Sequence, residues 1–534
     1  MKKIKRSQTL LYFLLLLAAL VVSGCEKTSD EAEPEPLMEP EILVNSLHIA
    51  LVKGGEQEIE VNSIGNDGEP ENFTIASRNE GIATVTNSDE KFTVTGVNYG
   101  TTEITVNSAS GKSLEIPVKV YDLYILETEE LLITYSQDFV YRWYHAGGGL
   151  VFDKKAGSYW QPIAVDGFKP LGSLGFSGVY DGPDDGPTGE HGVMVVKAKN
   201  GSDALAAPVD YTPLLQTDHF RGSLWIPLPP PGYKAMGIVA MADETRGQFR
   251  KPDSVAVVCV REDLTIEGVA GDLIQRSLIN PDLDIVTSWK IEPPVTGPHE
   301  NAYFSTGTFI SAVANNSLPA KPLSDTAMNV LNVKLPVLAE TPYRQYVPVL
   351  TSFEEPDPET VPVLSRELLV PFTFINDPLW EDTPGWPMNN SPFYRLERQV
   401  FYKLLYHNHN QTSIVQANSR SITTGVTMEA SHTFWEETGI SITAEAGVSF
   451  KCLSLGVSTN VSRSLGFSTT TSISEFEQET ITTGISIPPG KAVALWQKYN
   501  RFVLKRHNGP VLETVRAWEI RLNSFVTDEY PKEG

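Results

Sequence analysis

Residues 440–461 read ISITAEAGVSFKCLSLGVSTNV. From 440 to 450 the even positions are apolar or alanine: Ile440, Ile442, Ala444, Ala446, Val448 and Phe450. After Lys451-Cys452 the phase flips, and Leu453, Leu455, Val457, Thr459 and Val461 carry the pattern. Period-two alternation marks two-faced strands. A turn at Lys451-Cys452 would make them one hairpin, with Phe450 opposite Leu453, Val448 opposite Leu455, Ala446 opposite Val457 and Ile442 opposite Val461. The opposite face is small and polar: Ser441, Thr443, Glu445, Ser449, Ser454, Ser458, Asn460 and Ser462, with Gly447 beside Gly456. Each arm has about ten residues, the length of a tilted membrane-crossing strand. Two readings stay open. An ordinary antiparallel sheet with one face on a soluble core alternates in this way. So does a membrane barrel, whose lipid face would hold the apolar set and whose lumen would hold the Ser/Thr set.

The alternation extends outward through Val426, Met428, Ala430 and Phe434 on one side and Leu465, Phe467 and Ile473 on the other. Between residues 421 and 487 there are 25 Ser or Thr, no Pro and two Lys or Arg, in a chain that holds 37 prolines. With TTGVTMEASHTFWEETG before it and STTTSISEFEQETITTGISIPPGK after it, the stretch from 398 to 507 resembles aerolysin-type β-pore-forming proteins. The resemblance implies a Ser/Thr-rich insertion hairpin between two long strands. It also implies a strand ending near Pro488-Pro489-Gly490, and a homo-oligomer on a lipid membrane.

The chain has 534 residues and a net charge of −24. That length sets a prior of three or four domains. So acidic a chain lacks the basic surface that nucleic-acid binding needs, which excludes that partner class. Lys2, Lys3, Lys5 and Arg6 precede a 13-residue apolar run at 10–22, and Val22-Ser23-Gly24-Cys25 follows. A run that short reads as a signal-peptide core, not a spanning helix. Small residues and then Cys at its end resemble a bacterial lipobox, which implies cleavage before Cys25 and lipidation of its thiol. Residues 26–41 hold seven acids, three prolines and one lysine, the composition of a disordered spacer. Acids directly after a lipidated Cys resemble the surface-export signal of some Gram-negative lipoproteins. The expected location is therefore the outer membrane, facing outward. No later run of about 18 apolar residues predicts a transmembrane helix. Cys259, in SVAVVCV, reads as a buried strand residue, and with Cys452 it makes no disulfide framework.

Residues 42–122 alternate in six or seven short runs separated by turn residues, the pattern of a β-sandwich. Ser77-Arg78-Asn79-Glu80-Gly81-Ile82-Ala83-Thr84-Val85 and Phe92-Thr93-Val94-Thr95-Gly96-Val97 resemble the bacterial immunoglobulin-like domain, group two, a spacer or adhesive module. Residues 123–325 repeat. SYWQPIAVDGFKPLGSL and SLWIPLPPPGYKAMGIV align at an offset of 65 residues, placing Trp160 with Trp225, Gly167 with Gly232 and Lys169 with Lys234. A looser third copy starts at Trp289. Repeats of this length are single supersecondary units stacked on their copies, which predicts a three-repeat β-prism-like body. Repeated Trp at fixed offsets reads as core. Both boxes, Pro208-Val209-Asp210-Tyr211 and Val260-Arg261-Glu262-Asp263-Leu264-Thr265 resemble the vacuolar protein sorting sixty-two family of plants and fungi. That family carries no established catalytic residues to transfer.

The loop DGPDDGPTGEHG at 181–192 is acidic enough to hold Ca2+ through Asp181, Asp184, Asp185 and Glu190, but it lacks the EF-hand pattern, so an acidic surface turn is the favoured reading. Residues 326–420 are Pro-rich and read as irregular β structure, including FYRLERQVFYKLLYHNHNQTSIV. Neither a Gly-x-Ser-x-Gly elbow, a His-Glu-x-x-His helix, a Walker loop nor a dinucleotide fingerprint occurs. His407 and His409 share a strand face, and read as solvated or hydrogen-bonded. The sequence thus predicts an all-β, non-enzymatic surface lipoprotein with no cofactor and a lipid membrane as partner, together with a glycan or protein receptor. Two functions remain open, a β-barrel pore-forming effector and a non-lytic surface binding protein or adhesin.

Overall fold

The structure, a computed structural model, describes residues 40–532 apart from 89, 137, 146–154, 179–186, 188–191, 218–221, 244–247, 254–255, 279–283, 295–300, 316–320, 323–326, 341–346, 378–390, 427, 444–446, 452–457, 468–475, 477 and 509–510. The fold is all-β; among the described residues one α-helix stands out, Met428–Thr438. No described helix is long and apolar enough to cross a membrane.

The first body is a sandwich. Glu41–Val44, Glu56–Ile64, Lys91–Gly96 and Ala83–Ser88 form one four-stranded sheet. Ile49–Val52, Ser113–Tyr121, Gly100–Ser108 and Phe73–Ser77 form the other, with a parallel pairing of Ile49 to Val118 at its edge. Alternate residues turn inward, and Ile59, Phe92, Val94, Ile104, Val106 and Ile116 are fully buried between the layers. At the far end, Lys119 donates to Asp138 at 2.7 Å, and the Tyr121 hydroxyl donates to the same carboxylate, joining the sandwich to the next body.

That next body is three copies of one unit. Each has a central three-stranded antiparallel sheet and a second sheet of shorter strands, four-stranded in the first unit and three-stranded in the other two. The central sheets are Phe139–His145, Gly157–Pro162 and Leu174–Ser177; then Asp210–Thr217, Gly222–Leu228 and Val239–Ala242; then Val269–Leu278, Asp284–Glu292 and Phe309–Asn315. Each middle strand carries the repeated tryptophan, with Trp160 opposite Tyr141 and Leu174, Trp225 opposite Pro213 and Val239, and Trp289 opposite Leu273 and Ile310. All three indoles are buried. In the first two units the indole Nε1 donates to a serine hydroxyl two residues earlier, Ser158 and Ser223, both at 2.8 Å. A β-bulge recurs beside each tryptophan, at Arg142, Leu214 and Ile274. The third unit runs past the expected boundary at 325, since Asn329–Val333 pairs with Thr265–Glu267 and with Ala302–Phe304.

Residues from all three units share one core, which includes Trp143, Tyr159, Leu224, Ile238, Val286 and Phe309. Gly222 lets Trp143 lie flat on the second unit, because a Cβ there would overlap the indole ring. Arg261, from the motif quoted above, pairs with Glu130 at 2.5 Å, with Asp263 at 2.7 Å and with Asp203, clamping units one and two at their rim. Cys259 is free and buried, and burial pushes its thiol up to about 12.

The C-terminal module is a five-stranded sheet, ordered Val337–Glu340, Val363–Pro371, Phe393–His409, Ala492–Asn508, Val511–Tyr530. The stretch expected to be irregular thus supplies a strand of 17 residues. Prolines 356, 358, 362 and 371 lie outside that strand, and local Pro density said little about the regular run after it. The core of this sheet is continuous with that of the repeat body, through Tyr135 against Phe372 at 5.2 Å and Phe304 against Phe374 at 5.6 Å.

Truncating either repeated tryptophan removes an equivalent buried side chain, so Trp160→Ala and Trp225→Ala should each destabilise the body by about 3–5 kcal/mol. Urea midpoints followed by fluorescence measure this. Matching wild-type midpoints would mean the indoles are not core.

Candidate functional site

A two-stranded ribbon packs on the five-stranded sheet, with Ile422, Ile485 and Ile487 buried against Val493 and Leu495. Gln416–Thr424 pairs with Glu479–Ile487 and with no other described strand. Four of its nine pairs are small and polar, Ala417 with Ser486, Ser419 with Gly484, Ser421 with Thr482 and Thr423 with Thr480, while Ile422, Ile481, Ile485 and Ile487 make the ribbon two-faced. The hydroxyls meet across the ribbon, Ser421 to Thr482 at 3.1 Å and Thr423 to Thr480 at 3.3 Å. Among the described residues both outer edges of this ribbon are unpaired up to Gly425, whose amide donates to the Arg521 carbonyl at 2.8 Å and ties the ribbon's end to the last strand. Strand edges of this kind are templates for pairing with another chain, and a lone two-stranded ribbon is marginal by itself.

The ribbon frames the inserted segment, residues 425–478. The segment is closed at its base by the Val426 amide, which donates to the Phe476 carbonyl at 3.0 Å. It opens with the helix Met428–Thr438, where the alternation had predicted a strand arm. Spacing of two and four places Ala430 and Phe434 as well on one helical face as on one strand face. The helix formers around Glu429, Glu436 and Glu437 decide it. Gly439 ends the helix with φ +75° and its amide on the Trp435 carbonyl at 2.7 Å, a left-handed stop.

The strands that follow form a meander, not the expected hairpin. Ile440–Thr443 pairs with Gly447–Lys451, with Ile440 opposite Phe450, Ser441 opposite Ser449, Ile442 opposite Val448 and Thr443 opposite Gly447. The chain thus reverses first between Thr443 and Gly447, where no turn was expected. Gly447–Lys451 then pairs with Ser458–Asn460, where Phe450 lies opposite Thr459 and Ser449 opposite Asn460. The division into two faces holds, while the pairing has slipped by six residues from Phe450/Leu453 to Phe450/Thr459. Sliding by an even number leaves every side chain on its face, so alternation could not set the register. Of the expected lipid-facing set, Ile440, Ile442, Val448 and Val461 are buried in the main core. Of the polar set, Ser449 and Ser462 are buried and Ser441 is half-buried. The Ser462 hydroxyl accepts from the Val448 amide at 2.8 Å. Ala444, Glu445, Ala446, Leu453, Ser454, Leu455, Val457 and Ile473 lie outside the described residues. So do Cys25 and the loop acids Asp181, Asp184, Asp185 and Glu190.

The segment docks on one face of the five-stranded sheet along a single cross-strand row. Arg398, Phe502 and Trp518 stand side by side on three neighbouring strands. Phe434 stacks on Trp518 with ring centroids 4.5 Å apart, and Phe467 packs against Phe502 at 6.3 Å. Arg398 is the unexpected member, since it is 2% exposed. It donates to the Leu465 carbonyl at 2.7 Å and to the Asn500 side-chain carbonyl at 3.2 Å, and its guanidinium lies 3.7 Å from the centre of the Phe467 ring. At the rim, Arg516 pairs with Glu437 at 2.7 Å. The sequence carried a signal for Arg398: it interrupts the apolar even positions Tyr394, Leu396, Val400 and Tyr402. A charge on a core face needs partners from whatever covers it.

The segment is therefore held by a mixed contact. Its aromatic and aliphatic side chains gain by leaving water. Burying Arg398 costs several kcal/mol, which a carbonyl, an amide and a ring partly offset. His409, one of the two strand histidines, stacks under Phe353 at 4.3 Å.

Comparison with known proteins places two family matches on the chain. Residues 363–532 match the family described as insecticidal crystal toxin, P42. Residues 176–353 match that of vacuolar protein sorting-associated protein 62. No curated protein matches the chain. Among solved structures, GNIP1Aa from Chromobacterium piscinae is 19% identical over 36% of this chain, with a TM-score of 0.29, and the chain spans 34% of that protein's length. Cry35Ab1 is 13% identical over 76% of this chain and 91% of its own, with a TM-score of 0.32. Domains 4 and 5 of the S-layer protein SbsC are 27% identical over 16% of this chain and 54% of their own, with a TM-score of 0.14. The described fold thus ends in a module that matches a crystal-toxin family.

Removing the guanidinium strands the Leu465 carbonyl. Arg398→Ala should weaken docking of residues 461–467 by about 1–3 kcal/mol. Amide exchange resolved along the chain should show faster exchange there than in Phe393–His409. Unchanged protection at 461–467 would mean Arg398 does not hold the segment.

Proposed function

We propose that this chain is a surface-anchored lipoprotein that acts on lipid membranes, with the C-terminal module as a β-barrel pore former and the repeat body as its receptor- or glycan-binding part. The observation that carries this reading is the Ser/Thr ribbon Gln416–Thr424 and Glu479–Ile487, which frames a segment docked over a buried charge. Such a segment can leave its seat without breaking the five-stranded sheet, because no main strand of that sheet lies within it. Once it leaves, residues 416–487 form one continuous two-faced hairpin arm with free edges for neighbouring copies. The match of residues 363–532 to a crystal-toxin family supports the same reading. The lipobox at Cys25 supports anchorage in the outer membrane, and the sandwich serves as an immunoglobulin-like stalk. No catalytic chemistry or cofactor enters this function.

A second reading has its own support. Ile440, Ile442, Val448 and Val461 are as buried as any core residue, which suits a permanent packing element of a non-lytic adhesin.

Locking the seat separates the two. Phe434 and Trp518 are in ring contact, so Phe434→Cys with Trp518→Cys, in a Cys452→Ser background, should staple the segment down when oxidised. Dye release from liposomes should then stop, and reductant should restore it. Release as fast from oxidised as from reduced protein, or no release by the wild type from any membrane, would favour the adhesin. For the anchor, Cys25→Ala should move the protein from the membrane fraction to the soluble fraction; unchanged fractionation would exclude lipidation there.

A further inference from the structure

The three units are not equivalent at the bulge beside the tryptophan. The second and third units place Leu214 and Ile274 there, both packed into the shared core. The first unit places Arg142. Bulges re-aim a side chain, and they concentrate beside functional sites. Here the arginine lines a surface cavity of about 350 Å³ between units one and two, together with Gln161, Lys169, Met241 and Asp253.

A second asymmetry falls in the same cavity. Lys169 and Lys234 occupy equivalent places in the repeat, opposite Val196 and Val260. Lys234 pairs with Glu262 at 3.3 Å, whereas Lys169 makes no ion pair among the described residues. Gln161 is fixed in the wall, since its Oε1 accepts from Ser173 at 2.8 Å and its Nε2 reaches the Ala256 carbonyl at 3.4 Å. The lining thus carries two cations and one carboxylate on a chain whose net charge is −24. Two other surface clefts are acidic, one with Glu60, Glu90 and Lys91 and one with Glu56 and Asp166.

We propose that the Arg142 cavity binds a sugar bearing a single carboxylate, such as a uronate or a sialate. This rests on the recognition role given above to the repeat body, and deepens it. The Arg142 fork matches a carboxylate in two-point contact, and Lys169 adds a point charge. Asp253 accepts hydrogen bonds from ring hydroxyls, and it repels a doubly charged phosphate. Met241 and the prolines of the wall meet the C–H face of the ring. The volume lies at the small end of ligand cavities, the size of a single saccharide unit and not of an extended chain.

Titration of the full chain with glucuronate and N-acetylneuraminate, read by calorimetry, tests this, with glucose and acetate as controls. The acidic sugars should bind in the range of about 1 mM or tighter, and glucose at least about tenfold more weakly. Arg142→Leu restores the residue type of the second unit, so it should keep the fold and lose binding by about tenfold or more. If Arg142→Leu unfolds, Lys169→Gln makes the same test at the second cation. Equal binding of glucose, equal binding of acetate, equal binding by both variants, or no binding of either acidic sugar would each overturn the proposal. Dye release is scored separately: release without sugar binding removes this site and leaves the membrane function standing, while binding without release leaves the site on an adhesin.

Discussion

The C-terminal module depends on one buried row, Arg398–Phe502–Trp518, and on what covers it. An apolar row would be covered once and for all, since nothing in water competes for it. A guanidinium in the row changes that balance. Its covered state needs the Leu465 carbonyl, the Asn500 amide and the Phe467 ring in place together. Its uncovered state is satisfied by water at once. The penalty for opening is therefore smaller than the area of contact suggests, and the cost of partial opening is larger, because a half-lifted segment leaves a charge buried and unpaired. Such a contact favours two states over a continuum, the property a releasable element needs.

Arg366 sits beside Arg398 on the next strand, and Glu340 at the sheet edge answers it. Like charges opposite one another destabilise a sheet. The row holds because each arginine has its own partner on a different element, one at the edge and one in the docked segment. The five-stranded sheet is thus complete in its backbone pairing but not in its electrostatics until the segment is seated.

Much of the architecture was legible in the sequence, and the parts that were not share a cause. The repeat at an offset of 65 was visible because buried tryptophans and turn glycines leave little freedom in residue type, and the units coincide in six strands each, the first adding Leu126–Glu127. The faces of residues 440–461 were visible because alternation is local. Their register was not, because any even slip preserves the faces and nothing in the alternation selects one slip over another. The helix Met428–Thr438 was missed for the related reason that a few even-spaced apolar residues fit both periods. Arg398 could have been noticed as a break in the alternation of Phe393–His409, yet only the fold shows that its face is covered. Long-range partners, not local pattern, decide each of these.

The repeat body shows the converse use of pattern. Three copies of one unit place three residues in each equivalent position, and the core admits wide departures where partners compensate: one such position holds Tyr159, Leu224 and Ser288, and the Tyr159 hydroxyl contacts Ser288 at 2.6 Å while Ser288 contacts Ser311 at 2.6 Å. A polar cluster there is affordable because every hydroxyl finds a partner within the group. At the bulge the copies diverge again, with Leu214 and Ile274 packed into the shared core and Arg142 on the wall of the cavity. The repeat thus keeps its strand pairing while its residues diverge both in the core and at the surface. In this chain both departures that place a charge where a copy carries an apolar residue or a paired lysine, Arg142 and Lys169, open on the same side of the first unit, facing the second.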